Sequence, residues 1–188
     1  MKKVLIIHGW DGNPEEPLHQ YLKKTLEELG YEVTVPLMPD PERPIIKDWI
    51  EKIEEVLDDS YEIVIGHSIG CQAALRFLES LESDLIIPNV ILIAPWMKLD
   101  QQTIEEEGEE VVEIAKPWME TPIDFEKVLK RISKVTAIFS DNDPYVPLDQ
   151  SHFFHDNLNA EIIIEKNQGH FTETDNFIKL QTNLEEIS

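Results

Sequence analysis

YEIVIGHSIGCQAALRFL, residues 61–78, decides how the rest of the chain is read. An apolar run stops at Ile65, a serine stands between two glycines at 66 and 70, and a helical pattern begins at once. Serine is poor core material, and glycine near a helix start is costly unless a steric reason requires it. G-x-S-x-G at a strand-to-helix junction supplies that reason in the nucleophile elbow, a turn tight enough to expose a serine hydroxyl at the carboxyl edge of a sheet. The competing reading is a plain strand-to-helix turn. The flanking context, apolar before and amphipathic after, is what the elbow requires.

Outward from the elbow, short apolar runs alternate with helical stripes. Strands are expected at Val4–Ile7, Glu32–Leu37, Glu62–Ile65, Val90–Ala94, Val135–Phe139 and Ala160–Glu165. Between them, Leu18, Leu22, Leu26 and Leu29 mark one helix, and Ile46, Trp49, Ile50, Ile53 and Leu57 the next. The elbow helix presents Ala74, Phe77, Leu78 and Leu81. Further helices are expected from Phe125 to Ile132, over 148–158, and at the close on Phe177, Leu184 and Ile187. Strands separated by helices and apolar on both faces predict an α/β fold, a three-layer sandwich whose parallel sheet is covered on both sides. One domain is expected over residues 1–188, with an extra helix or lid at 97–122, where the crossover is long for a bare loop.

Composition narrows the function. There are 38 acidic against 16 basic residues, a net charge of −22, so phosphate backbones and anionic membranes would repel the chain. No stretch is long enough for a membrane span. MKKVLIIHGW has the lysines of a signal peptide, but its apolar run ends after four residues at His8, so it is read as a first strand and a cytoplasmic location is expected. Cys71 is the only cysteine, which excludes an internal disulfide and a thiolate zinc site. His152 and His155 are three apart rather than four, and no metal or cofactor is expected.

A serine nucleophile needs a base, and the base needs an acid to orient it; in this fold they follow in the order Ser, Asp or Glu, His. Ser140-Asp141-Asn142-Asp143-Pro144 follows the fifth strand and Gln168-Gly169-His170 the sixth, both on the edge that carries Ser68. His170 is the expected base and Asp143 the expected acid, with Asp141 as competitor; turn formation is the alternative role of this Asp-Asn-Asp-Pro stretch. The oxyanion donors expected are the amides of Ile69, after the nucleophile, and of Trp10, in the loop after the first strand. Trp96, Met97, Trp118 and Met119, with Trp10 opposite, either line an apolar acyl pocket or pack the long crossover onto the sheet. Glu105, Glu106, Glu107, Glu109 and Glu110 are read as a solvated helix face.

HGW near the start, PLMPDPERP followed by Trp49, GHSIGCQAALRFLE, Asp143-x-x-Val146-Pro147 and QGH with Phe171 together resemble the retinoblastoma-binding protein 9 / YdeN family of small α/β-hydrolases. The resemblance runs nearly end to end. It implies a minimal α/β-hydrolase fold, a six-stranded sheet ordered 2-1-3-4-5-6, the triad Ser68, Asp143 and His170, and small esters or amides as substrates. Gln168 stands where many relatives have glycine, which should reshape that loop without removing the base. A monomer or weak dimer is expected. A non-catalytic interaction scaffold is the alternative of another class, but the L-x-C-x-E motif associated with retinoblastoma protein is absent around Cys71, which is read as a small hydrophobe. Nucleotide binding would need G-x-G-x-x-G or G-x-x-x-x-G-K-[ST], and neither is present.

Overall fold

A computed structural model describes residues 2–99 and 101–172, apart from the side chains at 102, 106 and 107. Six parallel strands form one sheet: β1 (Lys3–Ile7), β2 (Glu32–Thr34), β3 (Tyr61–His67), β4 (Ile87–Ile93), β5 (Ile132–Ser140) and β6 (Glu161–Glu165), in the order β2-β1-β3-β4-β5-β6. The helices are α1 (Pro17–Glu28), α2 (Ile46–Val56), α3 (Ile69–Ser80), α4 (Gln101–Glu107), α5 (Glu109–Glu120), α6 (Phe125–Leu129) and α7 (Gln150–Leu158). The expected α/β sandwich and strand order are both present. The closing helix expected on Phe177–Ile187 lies outside the described residues.

Right-handed crossovers fix the layers. The chain leaves β1 in one direction to make β2, then returns past β1 to β3 and continues that way to β6. The helix of the first crossover, α1, therefore covers one face, and α2, α3, α6 and α7 pack side by side on the other. The direction reverses between β1 and β3, which makes the carboxyl ends of those two strands the switch point where open α/β sheets bind ligands. Val4 to Ile7 and Ile63 to Ile65 are buried at this centre, as the two-sided apolar reading requires.

Several boundaries differ from the sequence reading, β4 for example opening at Ile87 rather than Val90. β2 pairs with β1 only through Glu32, Val33 and Thr34; Pro36, without an N–H, cannot extend the ladder. β3 runs on through Gly66 and His67, which pair with Leu92 and Ile93 of β4. Ile132 opens β5 instead of closing the preceding helix, pairing with Ile87. The long crossover after β4 holds two helices, α4 and α5, where one was expected, broken at Gly108 with φ 86°. Glu105, Glu109 and Glu110 are exposed there, as the solvated-face reading has it. No helix among the described residues is long and apolar enough to cross a membrane.

Candidate active site

Ser68 follows β3 with φ 54° and ψ −121°, a backbone conformation costly for any residue but glycine. Two close approaches hold it there. A Cβ on Gly66 would lie 2.7 Å from both Cα and N of Cys71, in the first turn of α3. A Cβ on Gly70 would lie 2.5 Å from Ile7 O and 2.6 Å from His8 O. The first glycine lets the chain fold back on itself, and the second lets α3 press against the end of β1. The Ser68 amide donates to Ile93 O at 2.9 Å, so the elbow is also pinned to β4. Cys71 is fully buried, its thiol pushed up by that burial, which fits a packing role.

His170 and Asp143 meet. His170 Nδ1 lies 2.9 Å from Asp143 Oδ2 and 3.0 Å from Oδ1, and the Asp143 side chain is only 1% exposed. Asp143 Oδ1 also accepts from the Tyr145 and Val146 amides at 2.9 and 3.1 Å, which fixes the carboxylate. With the Nδ1 proton directed at the carboxylate, Nε2 is left with its lone pair, the tautomer that a general base needs. Asp141 points elsewhere: its Oδ1 accepts from the Asn167 amide at 2.8 Å. Asp143 thus makes both the local turn bonds and the contact with His170, while Asp141 reaches across to the loop after β6.

The loop bearing His170 is held by side chains that the sequence reading passed over. Ser140 Oγ accepts from the Gln168 amide at 3.0 Å, and Asn142 Oδ1 accepts from both Ser140 Oγ and the Gly169 amide at 2.8 Å each. His67 Nε2–H donates to His170 O at 2.9 Å, tying the elbow to the loop directly. Gln168 is tolerated because the left-handed positions are its neighbours, Asn167 with φ 55° and Gly169 with φ 53°. Asp-Asn and Gly-His runs just past strand ends are the only sequence signal of this clamp, and they also read as ordinary turns.

Ser68 and His170 open onto one cavity of about 380 Å³. Trp10 and Trp96 line it, and Leu99, Val111, Tyr145 and Val146 complete its apolar wall, with Asp11 the charged member. Three expected pocket residues are placed elsewhere. Trp118 is fully buried, edge-on to Trp49, with its indole N–H donating to Pro44 O at 2.9 Å. Met97 and Met119 border a separate hollow beside Gln150 and Phe153. For these three the packing alternative holds. Among the described residues, the hydrogen bonds of the imidazole are those to Asp143, and none joins it to the Ser68 hydroxyl; such contacts are commonly long before substrate binds and tighten in the reacting complex.

In the loop after β1, the Asp11 amide donates to Pro41 O at 2.7 Å and the Gly12 amide to Gly9 O at 3.2 Å. Ile69, the first residue of α3, carries an amide without an intrahelical acceptor. Both segments flank Ser68, since a Cβ on Gly9 would lie 3.3 Å from Ser68 Cβ.

Comparison with known proteins places the chain in a family and its fold among solved structures. A family model described as serine hydrolase matches residues 4–187. YdeN of Bacillus subtilis (strain 168) is 26% identical over 181 residues, spanning 95% of this chain and 90% of its own. Serine hydrolase RBBP9 of Rattus norvegicus is 26% identical over 170 residues, spanning 89% and 81%. The crystal structure of the ydeN gene product from B. subtilis superposes with a TM-score of 0.84 at 24% identity, over 100% of this chain and 98% of that one.

Proposed function

The chain belongs to the serine hydrolase family, alongside YdeN and RBBP9, and from that premise we propose that Ser68, His170 and Asp143 hydrolyse a small ester or amide through an acyl-enzyme. The observation that carries the proposal is the pairing of His170 Nδ1 with the nearly inaccessible Asp143 carboxylate, 2.9 Å away, on the rim where the strained Ser68 opens onto an apolar cavity.

In this reading His170 Nε2 takes the Ser68 proton as Oγ attacks the substrate carbonyl carbon. The oxyanion is held by the Ile69 and Trp10 amides; losing one such donor typically costs ~3 kcal/mol of transition-state stabilisation. The imidazolium, stabilised by Asp143, returns its proton to the leaving alcohol or amine. Water then attacks the acyl-enzyme, giving its proton to the same nitrogen, and Ser68 departs with that proton as the acid is released. Residues 1–188 act as one catalytic domain, and α4–α5 cover the cavity as a lid, supplying Thr103 and Val111 to its wall. An apolar wall with one carboxylate, Asp11, favours neutral or cationic acyl groups over anionic ones.

The test is labelling by a fluorophosphonate beside turnover of p-nitrophenyl esters of graded chain length. Wild-type protein should label once, at Ser68, and Ser68→Ala should neither label nor turn over while keeping its circular dichroism. Undiminished turnover by Ser68→Ala would remove this serine from the chemistry, and unlabelled wild-type protein would favour the scaffold alternative.

A further inference from the structure

Beneath the loop that follows β1 lies a cluster of titratable groups of which the proposed hydrolysis uses only His170. Four imidazoles stand in a row, with ring centroids 6.2 Å apart for His8–His19, 5.8 Å for His19–His67 and 5.1 Å for His67–His170. The outer two have assigned partners. His170 is paired with Asp143, and His8 donates from Nδ1 to Gly9 O at 2.8 Å while its Nε2 accepts from the Met38 amide at 2.9 Å.

The inner two each keep one nitrogen unengaged. His19 Nδ1–H donates to Asn13 O at 2.9 Å, which leaves a lone pair on Nε2. His67 Nε2–H donates to His170 O at 2.9 Å, which leaves a lone pair on Nδ1. Both lone-pair nitrogens are buried without a hydrogen-bond partner, in residues 0% and 3% exposed. Buried polar atoms are nearly always satisfied, so an orphaned pair in one place points to a ligand. A carboxylate is at hand. One oxygen of Glu16 and one ring nitrogen from each of His19 and His67 lie within 4.8 Å of one another.

Local structure explains the convergence. Glu16 caps α1 and His19 lies in its first turn, three positions on, which brings the carboxylate beside the imidazole: Glu16 Oε2 is 3.2 Å from His19 Nδ1, the nitrogen that donates to Asn13 O, and so lies next to the ring that carries the unpartnered Nε2. The glycines of the neighbouring loop keep space beside the cluster. A Cβ on Gly9 would lie 3.2 Å from His67 Nδ1, and one on Gly12 would lie 3.2 Å from Glu16 Oε2. The side chain of Glu16 is 25% exposed and gives access from solvent.

We propose that Glu16, His19 and His67 form a binding site for a divalent ion of the zinc class. Two imidazoles and one carboxylate suit zinc or cobalt, with a fourth position left to water, whereas magnesium and calcium prefer oxygen alone. The bonds from the far nitrogens of both rings to backbone carbonyls are the outer contacts by which metal-bound histidines are oriented. The ion fills the orphaned lone pairs and adds positive charge beside a carboxyl raised by burial and by Asp11. The site lies behind the nucleophile and outside the substrate cavity, so it does not depend on the hydrolytic reading.

Chelator-treated protein titrated with Co²⁺, followed by visible absorption, and then with Zn²⁺ by calorimetry tests the site. One equivalent should bind, with the intense d–d bands of a tetrahedral nitrogen–oxygen set. His19→Gln should weaken binding by about tenfold or more, and Glu16→Gln, at a partly exposed position, gives the same readout should His19→Gln fail to fold. The double variant His152→Gln/His155→Gln, which removes the two helix-surface histidines, should bind as wild type does. Absence of stoichiometric binding in the wild type, or binding lost in the surface double variant and kept in Glu16→Gln, would overturn the proposal.

Discussion

Gly70→Ala tests whether the elbow is held by contact with β1. The added methyl group would lie 2.5 Å from Ile7 O and 2.6 Å from His8 O, while ordinary van der Waals contact begins at 3.4 Å. Both obstacles are backbone atoms, at the end of β1 and the residue after it, so no side chain can swing aside; α3 and the end of β1 must separate by about 0.9 Å. Overpacking a rigid core costs ~1–3 kcal/mol, and a backbone-on-backbone clash belongs at the upper end. For a chain of this size each kcal/mol lowers Tm by about 2–4 °C, so a fall of roughly 6–12 °C is expected. The same shift moves Ser68 and Ile69 away from the loop at Gly9 and Trp10, and a misplacement near 1 Å costs about a hundredfold in rate. Thermal denaturation and p-nitrophenyl acetate hydrolysis on one preparation measure both. Gly30→Ala is the control: nothing lies within 4 Å of its added Cβ, and only its φ of 89° is penalised, by ~1 kcal/mol without loss of turnover. A Gly70→Ala protein with wild-type Tm and turnover would refute the close-approach argument.

Asp143→Asn should lower kcat by about three to four orders of magnitude, because an amide no longer holds the Nδ1–H tautomer. Asp141→Asn should change it less than about threefold, since the retained carbonyl still accepts from Asn167 N; the opposite ranking in steady-state kinetics would exchange the two assignments. Acid should destabilise the metal-free protein through its buried neutral histidines. Burial lowers His19 from 6.5 to about 4, and it lowers His67 and His8 as well. The unfolded chain takes up these protons first, so the stabilisation is complete above about 6.5 and is lost as pH falls towards about 4. His19 alone contributes ~3 kcal/mol across that window. Urea denaturation of chelator-treated protein at pH 7 and pH 4.5 reads the difference, and equal midpoints would contradict the linkage.

The elbow was legible because everything it needs is local: an apolar strand, two glycines and an amphipathic helix within eighteen residues. The proposed acid and base were legible as residue types just past strand ends, with Asp143 preferred to Asp141; what the sequence did not carry is which carboxylate faces His170 and which accepts from the Asn167 amide. Trp118 could not be placed from sequence, because helical spacing does not say whether a tryptophan faces a cavity or, as here, Trp49 and Pro44 O. His19 and His67 read as a helix histidine and an elbow residue. Their proximity exists only once α1 is folded beside the end of β3, a juxtaposition that no local pattern records.

His67 and His170 are joined by a hydrogen bond across 103 positions of chain. The last strand and the loop after it must therefore dock before the serine side of the rim gains its partner. During synthesis the elbow leaves the ribosome well before His170, so on the proposed mechanism a nascent chain truncated before β6 carries the hydroxyl without its proton acceptor. On the proposed mechanism, acylation competence waits for the loop after β6, and the half-made polypeptide is silent towards the esters around it.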